Sequence, residues 1–115
     1  MTYLSATPEA VLTALADGTR RHIVQELRGG ARSVGDLAQV VPVSRPAVSQ
    51  HLKVLSDCGL LTVTQQGTRR LYAIAPDTVA ELRAYLDGLW DDALAAFAAE
   101  ARRQAAAKPQ GKDPK

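Results

Sequence analysis

The sequence predicts a mainly α (α+β) protein: four short helices, a β-hairpin and a long C-terminal helix. Three observations carry that prediction. Apolar residues recur at helical spacing in several separate stretches, among them Val48, Leu52 and Leu55 at i, i+4 and i+7. The period then changes, because LLTVTQ at 60–65 and RRLYAI at 69–74 are β-branched and partly alternating. From Pro76 a helical stripe resumes and is sustained longer than any before it.

The first helix is expected over 7–16. Thr7 is placed to cap it, Pro8 suits the first turn, and Val11, Leu12 and Leu15 form one stripe. Asp17 and Gly18 break it. A second helix follows with Ile23, Val24 and Leu27 on one face, and Gly29-Gly30 ends it. Ser33 opens a third, over 33–41, with Asp36 three positions on in a capping-box arrangement. Val34, Leu37 and either Val40 or Val41 point inward, and Pro42 stops it. Ser44 caps the fourth, over 44–57, which tolerates Pro46 because first-turn N–H groups lack internal partners anyway. Gly59 follows as a C-terminal cap.

In the hairpin, Gln66, Gly67 and Thr68 join the strands, with Gly67 free to take positive φ. In the long segment 76–107, Leu82, Tyr85, Leu86, Leu89, Trp90, Ala93, Leu94 and Phe97 form one stripe. A helix over that span is about 48 Å long and overhangs a core this small. The polar tail 108–115, KPQGKDPK, is expected to be disordered, leaving 1–107 as one domain.

A chain of 115 residues fits one domain, and with 46% apolar but only 4% aromatic residues its core must be mostly Leu, Val and Ala. A core of that kind gains from burial in an oligomer. The net charge of +2 is unevenly spread. Residues 44–75 hold Arg45, Lys53, Arg69 and Arg70 against Asp57 alone, a net of +3, whereas 76–107 hold six acidic and three basic residues, a net of −3. A basic middle and an acidic late helix suggest that the middle meets a polyanion. The single cysteine, Cys58, allows no intrachain disulfide, and with two histidines it makes a poor metal set, so neither metal nor cofactor is expected. There is no signal-like N-terminus and no apolar run of membrane-spanning length, so a soluble, cytoplasmic protein is expected. No Gly-rich phosphate loop and no supported Ser/His/Asp or Cys/His set is present, which argues against an enzyme.

The two helices at 33–41 and 44–57, joined by a tight turn at Pro42-Val43, make a helix-turn-helix, and the hairpin stands where a wing belongs. The face opposite Val48, Leu52 and Leu55 carries Pro46, Ala47, Ser49, Gln50 and Lys53, with Ser44 and Arg45 at the N-terminal tip. Small residues let such a helix sit deep in a major groove. Gln50 can pair with adenine and Arg45 with guanine, each through two hydrogen bonds. Ser44, Ser49 and Lys53 suit phosphate or base-edge contacts. Thr68, Arg69 and Arg70 at the hairpin tip complete the candidate DNA-binding set. Alternation makes it unfavourable for both arginines to face the duplex, so one is expected to touch it. If all four basic residues of each protomer meet phosphates, a dimer engages eight, and log affinity falls against log salt with a slope of about −7.

The runs ALADGTRRHIVQEL and SVGDLAQVVPVSRPAVSQHLKVLSDCGLLTVTQQGTRRLYAI resemble the arsenic-repressor (ArsR) family of winged helix-turn-helix regulators, over residues 11 to about 97. The resemblance implies a homodimeric repressor whose first and last helices form the dimer interface. It further implies a pseudo-palindromic operator, often in the protein's own promoter. Metal-sensing members carry Cys-x-Cys where this chain has Ser33 and Gly35, and others use His on the last helix, which has none here. Redox-sensing members use a cysteine pair. The closer likeness is to a metal-independent branch, with a late helix like LWDDALAAFAAEA, and the effector is unknown.

The dimer seam is accordingly expected at Leu12, Leu82, Tyr85, Leu86, Leu89, Trp90, Leu94 and Phe97, with a small-molecule pocket in the dimer core as the alternative. A winged-helix module that binds a protein partner is a further alternative, which the small, polar, basic face of 44–57 disfavours. His51 is expected to pack partly under the wing, Arg20, Arg21 and His22 to lie on a solvated face, and Cys58 to pack as a small apolar residue.

Overall fold

The computed structural model of the chain describes residues 7–107; the tail expected over 108–115 lies outside them. The order is α1 (Pro8–Leu15), α2 (Gly18–Glu26), a 3₁₀ turn (Leu27–Gly29), β1 (Arg32–Ser33), α3 (Val34–Val40), α4 (Arg45–Asp57), β2 (Leu61–Gln66), β3 (Arg69–Ile74) and α5 (Pro76–Ala107). This is a winged helix-turn-helix. By packing, the chain falls into two units that divide within α5, one reaching Leu82 and one beginning at Arg83.

Side chains start the first four helices. Thr7 Oγ1 accepts from the Ala10 N–H at 3.2 Å, and Asp17 Oδ2 accepts from the Arg20 N–H at 2.9 Å. Ser33 and Asp36 form the full capping box of α3, and Ser44 Oγ accepts from the Ala47 N–H at 3.3 Å to start α4. Helix α4 ends in a Schellman motif: Leu60 N–H donates to Leu55 O and Gly59 N–H to Ser56 O, with Gly59 at φ 88°. The left-handed region there favours glycine.

The core of the first unit is aliphatic, centred on Val11, Ile23, Leu27, Leu37, Val48, Leu52 and Leu55. The inward faces differ from the predicted ones at two helices. In α1 the buried pair is Val11 and Ala14, while Leu12 faces out. Positions 11 and 14 are three apart and share a side that 12 does not. At the end of α3, Val41 is buried and Val40 exposed, because the chain leaves the helix at Val41 with extended backbone.

The hairpin is part of a three-stranded antiparallel sheet of order β1-β3-β2. The sequence reading lacked β1, a two-residue strand pairing Arg32 with Tyr72 and Ser33 with Leu71. Gln66 belongs to the strand, opposite Arg69, so the connection is the two-residue turn Gly67-Thr68, with Gly67 at φ 63°. The hairpin is closed at its base by Ala75 N–H on Leu60 O, and Thr78 Oγ1 donates to Gly59 O at 2.7 Å, fixing the first turn of α5.

Two arginines that the sequence placed on a solvated face hold the α1–α2 corner instead. Arg20 Nε donates to Ala14 O at 2.6 Å, and Arg21 Nη1 donates to Leu15 O at 2.9 Å and Ala16 O at 3.1 Å. They satisfy carbonyls that the end of α1 leaves without helical partners. His51 is not under the wing. Its Nδ1 stands 3.5 Å from Arg20 Nη1 and 3.9 Å from Asp17 Oδ2, so α4 is tied to the same corner. Cys58 is buried and donates to Leu55 O, and burial pushes its thiol pKa up.

The second unit, from residue 83, is helical to Ala107. Leu86, Leu89, Trp90, Leu94 and Phe97 are all exposed in the protomer, and Tyr85 is half-buried. No helix among the described residues is long and apolar enough to cross a membrane.

Candidate nucleic-acid interface

Helix α4 has two sides of opposite character. Val48, Leu52 and Leu55 have no exposed surface. Ser44, Arg45, Pro46, Ser49, Gln50 and Lys53 are exposed, and Ala47 is half-buried at the margin. The tight turn before it, with Val43 N–H on Val41 O at 2.8 Å, fixes α3 against α4. Gln50 thus projects from a helix anchored from behind by three aliphatic side chains and, through its neighbour His51, by the α1–α2 corner.

The hairpin meets this face along a groove of about 500 Å³. Ser49, Gln50 and Lys53 line one side, and Val63, Arg70 and Tyr72 the other. Sequence reasoning missed Val63 and Tyr72. The signal was the two-residue period of β3, which puts Arg70 and Tyr72 on one face, and the pairing of Val63 with Tyr72. Arg70 lies over the Tyr72 ring, 6.0 Å from its centroid, in a cation–π arrangement. Ser56 Oγ, also on the groove, is buried and has no partner among the described residues.

A second cleft, of about 380 Å³, opens between the start of α3 and the hairpin tip and is lined by Arg45, Thr68, Arg69 and Arg70. The Arg45 guanidinium lies over Gly35, 3.8 Å from where a Cβ would stand. Arg69 Nη2 donates to Ser33 Oγ at 3.0 Å and Asp36 Oδ2 at 2.9 Å. The Ser33 hydroxyl and N–H, and then the Arg69 charge, hold the Asp36 carboxyl below the usual range. Ser33 and Gly35 therefore sit among three guanidinium groups, surroundings that suit an anion and repel a cation.

The four cations of the face differ in their company. Lys53 Nζ is 2.9 Å from Asp57 Oδ2, one turn on, and Arg69 has Asp36. Arg45 and Arg70 have no carboxylate partner among the described residues. No cluster of metal-binding side chains is found among the described residues.

Of the residues assigned to a dimer seam, Leu12, Leu86, Leu89, Trp90, Leu94 and Phe97 are exposed in the protomer. Leu82 packs partly against the protomer's own core.

Comparison with known proteins agrees with this architecture. A helix-turn-helix domain model matches residues 15–64. The HTH-type transcriptional regulator Rv2034 of Mycobacterium tuberculosis is 52% identical over 92 residues, covering 80% of this chain and 86% of that protein. The crystal structure of a possible transcriptional regulator for arsenical resistance is 42% identical, with a TM-score of 0.66, over 79% of this chain and 95% of that one. The third is a solution structure from Mycobacterium bovis: the homodimeric winged helix-turn-helix DNA-binding domain (fragment 1–100) of Mb0332, a possible ArsR-family regulator. It is 33% identical with a TM-score of 0.60, over 73% of this chain and 78% of that one.

Proposed function

This chain belongs to the ArsR family of winged helix-turn-helix transcriptional regulators, and we propose that it is a sequence-specific repressor that binds a pseudo-palindromic operator as a homodimer. The observation that carries the reading is the division of α4: one side without exposed surface, the other exposed, small, polar and basic. Inserted in a major groove, that side offers Gln50 to adenine and Arg45 to guanine, while Ser44, Ser49 and Lys53 meet phosphates or base edges. Arg70, raised on Tyr72 across the groove from α4, meets the flanking backbone or minor groove.

The dimer is formed by α1 and α5, through Leu12, Tyr85, Leu86, Leu89, Trp90, Leu94 and Phe97. Their exposure in the protomer supports this, as does the homodimeric state of the M. bovis relative. Two copies then place two α4 helices on half-sites one turn, or a multiple of it, apart. Repression follows from occupying a promoter, the gene's own included, and the protein works without the family's metal site, because Ser33 and Gly35 supply no thiolate.

A mobility shift on the gene's own upstream region with random competitor tests the function. Gln50→Ala is expected to lower operator affinity by about five- to a hundredfold, the scale of one base contact, and to leave binding to random duplex nearly unchanged. Equal losses on both duplexes would remove direct readout from Gln50.

A further inference from the structure

Arg69 and Arg70 are adjacent on the wing, and the structure gives them different work. Arg70 shares the face of Tyr72 and lines the groove beside Ser49, Gln50 and Lys53. Arg69 reaches back to α3, the first helix of the helix-turn-helix, across more than thirty positions of sequence. The acceptors it finds are already organised. Ser33 Oγ accepts the Asp36 N–H at 3.1 Å, and the Asp36 carboxylate accepts the Ser33 N–H, so both side chains are held by the capping box before Arg69 arrives. Pairing between β1 and β3 stops at Ser33–Leu71, so the guanidinium–carboxylate pair lies beyond the last rung of that ladder. From Gln65 to Arg70 every residue is exposed.

We propose that Arg69 is a positioning residue and not a DNA contact: through Ser33 and Asp36 it fixes the hairpin tip against the helix-turn-helix and so aims Arg70 at the duplex. This role rests on the DNA-binding reading above. Charge explains why Arg69 stays where it is. If it left for a phosphate, the Asp36 carboxylate would be exposed, without its countercharge, beside a polyanion. Kept in place, the pair presents a neutral surface there, and the net positive charge of the wing is that of Arg70.

The test uses the full chain carrying Asp36→Asn and Arg69→Gln together, which removes the pair at constant net charge, with Arg69→Lys as the conservative variant. Amide hydrogen exchange of residues 66–70 is measured without DNA. Affinity is measured as a function of salt on a duplex that the wild-type protein enriches from a random pool. The expected result is faster exchange at the tip and an affinity loss of about threefold, with the salt slope unchanged and partial recovery in Arg69→Lys. Unchanged exchange overturns the latch whatever the DNA result. A slope shallower by about two per dimer makes Arg69 a phosphate contact and also overturns it. Failure of wild-type protein to enrich any duplex sinks the DNA reading instead, and the exchange data tell that failure apart from failure of the latch.

Discussion

Helices α4 and α5 carry the same kind of apolar stripe and resolve it in opposite ways. In α4, Val48, Leu52 and Leu55 are each 0% exposed, buried by α1, α2, α3 and the sheet of the same chain. In α5, Leu86, Leu89, Trp90, Leu94 and Phe97 are 42%, 49%, 68%, 52% and 73% exposed. Periodicity reports that a face will be buried; it does not report by whom. A stripe completed within the protomer fixes the aim of a recognition surface. A stripe left open by the protomer is a surface for another molecule, because contiguous exposed apolar area is costly in water.

The comparison breaks most readily at Leu52. Leu52→Ala removes a fully buried side chain from the α4 anchor and is expected to cost about 2–5 kcal/mol of stability, a large share of what a small domain has. Chemical denaturation should show the loss as a lower midpoint. Leu89→Glu is the counterpart in α5, where a charge enters the proposed seam. Sedimentation should show a monomer, operator affinity should fall with it, and the loss in dimer stability is expected to be about 2 kcal/mol or more. A Leu89→Glu protein that sediments as a dimer would move the seam elsewhere.

Salt dependence sharpens the contrast within the DNA face itself. Counting basic residues in the sequence gives eight phosphate contacts per dimer and a slope of about −7. In the structure Lys53 and Arg69 already have carboxylates at 2.9 Å, which leaves Arg45 and Arg70 in each protomer. If both pairs survive binding, the slope falls to about −3.6. A measured slope near −7 would show that DNA displaces Asp57 and Asp36 from their partners.

What the sequence made legible follows from the range of each signal. The caps at Thr7, Ser33 and Ser44, the glycine after α4 and the turn at Gly67 are local, set by residues within a few positions of one another, and all were readable. The Arg69–Asp36 pair, the Arg20–His51 contact and the pairing of β1 with β3 join residues 31 or more positions apart. No periodicity encodes them. Charge counting failed to separate Arg69 from Arg70 for the same reason, although strand alternation had already placed them on opposite faces. At Leu12 the stripe was read one position out of phase, an error that a helix of eight residues invites.

The smallest expected effect is electrostatic and confined to acid. The Arg20 N–H holds Asp17 below the usual carboxylate range, helped by the Arg20 and His51 charges, and Ser33 and Arg69 do the same for Asp36. A carboxyl with a lowered folded-state pKa binds its proton more readily in the unfolded chain, so stability rises with pH across the interval between the two values. Its contribution is complete at pH 7 and is lost as pH falls below about 4 and through the folded-state value. Both carboxylates serve helices that hold α4 in place, so the α4 side of the comparison is the side that acid should loosen. Asp17→Asn and Asp36→Asn should each lower the urea midpoint at pH 7, and the gap to wild type should close in acid. A gap that stays constant across that interval would assign the caps' contribution to hydrogen-bond geometry and not to charge.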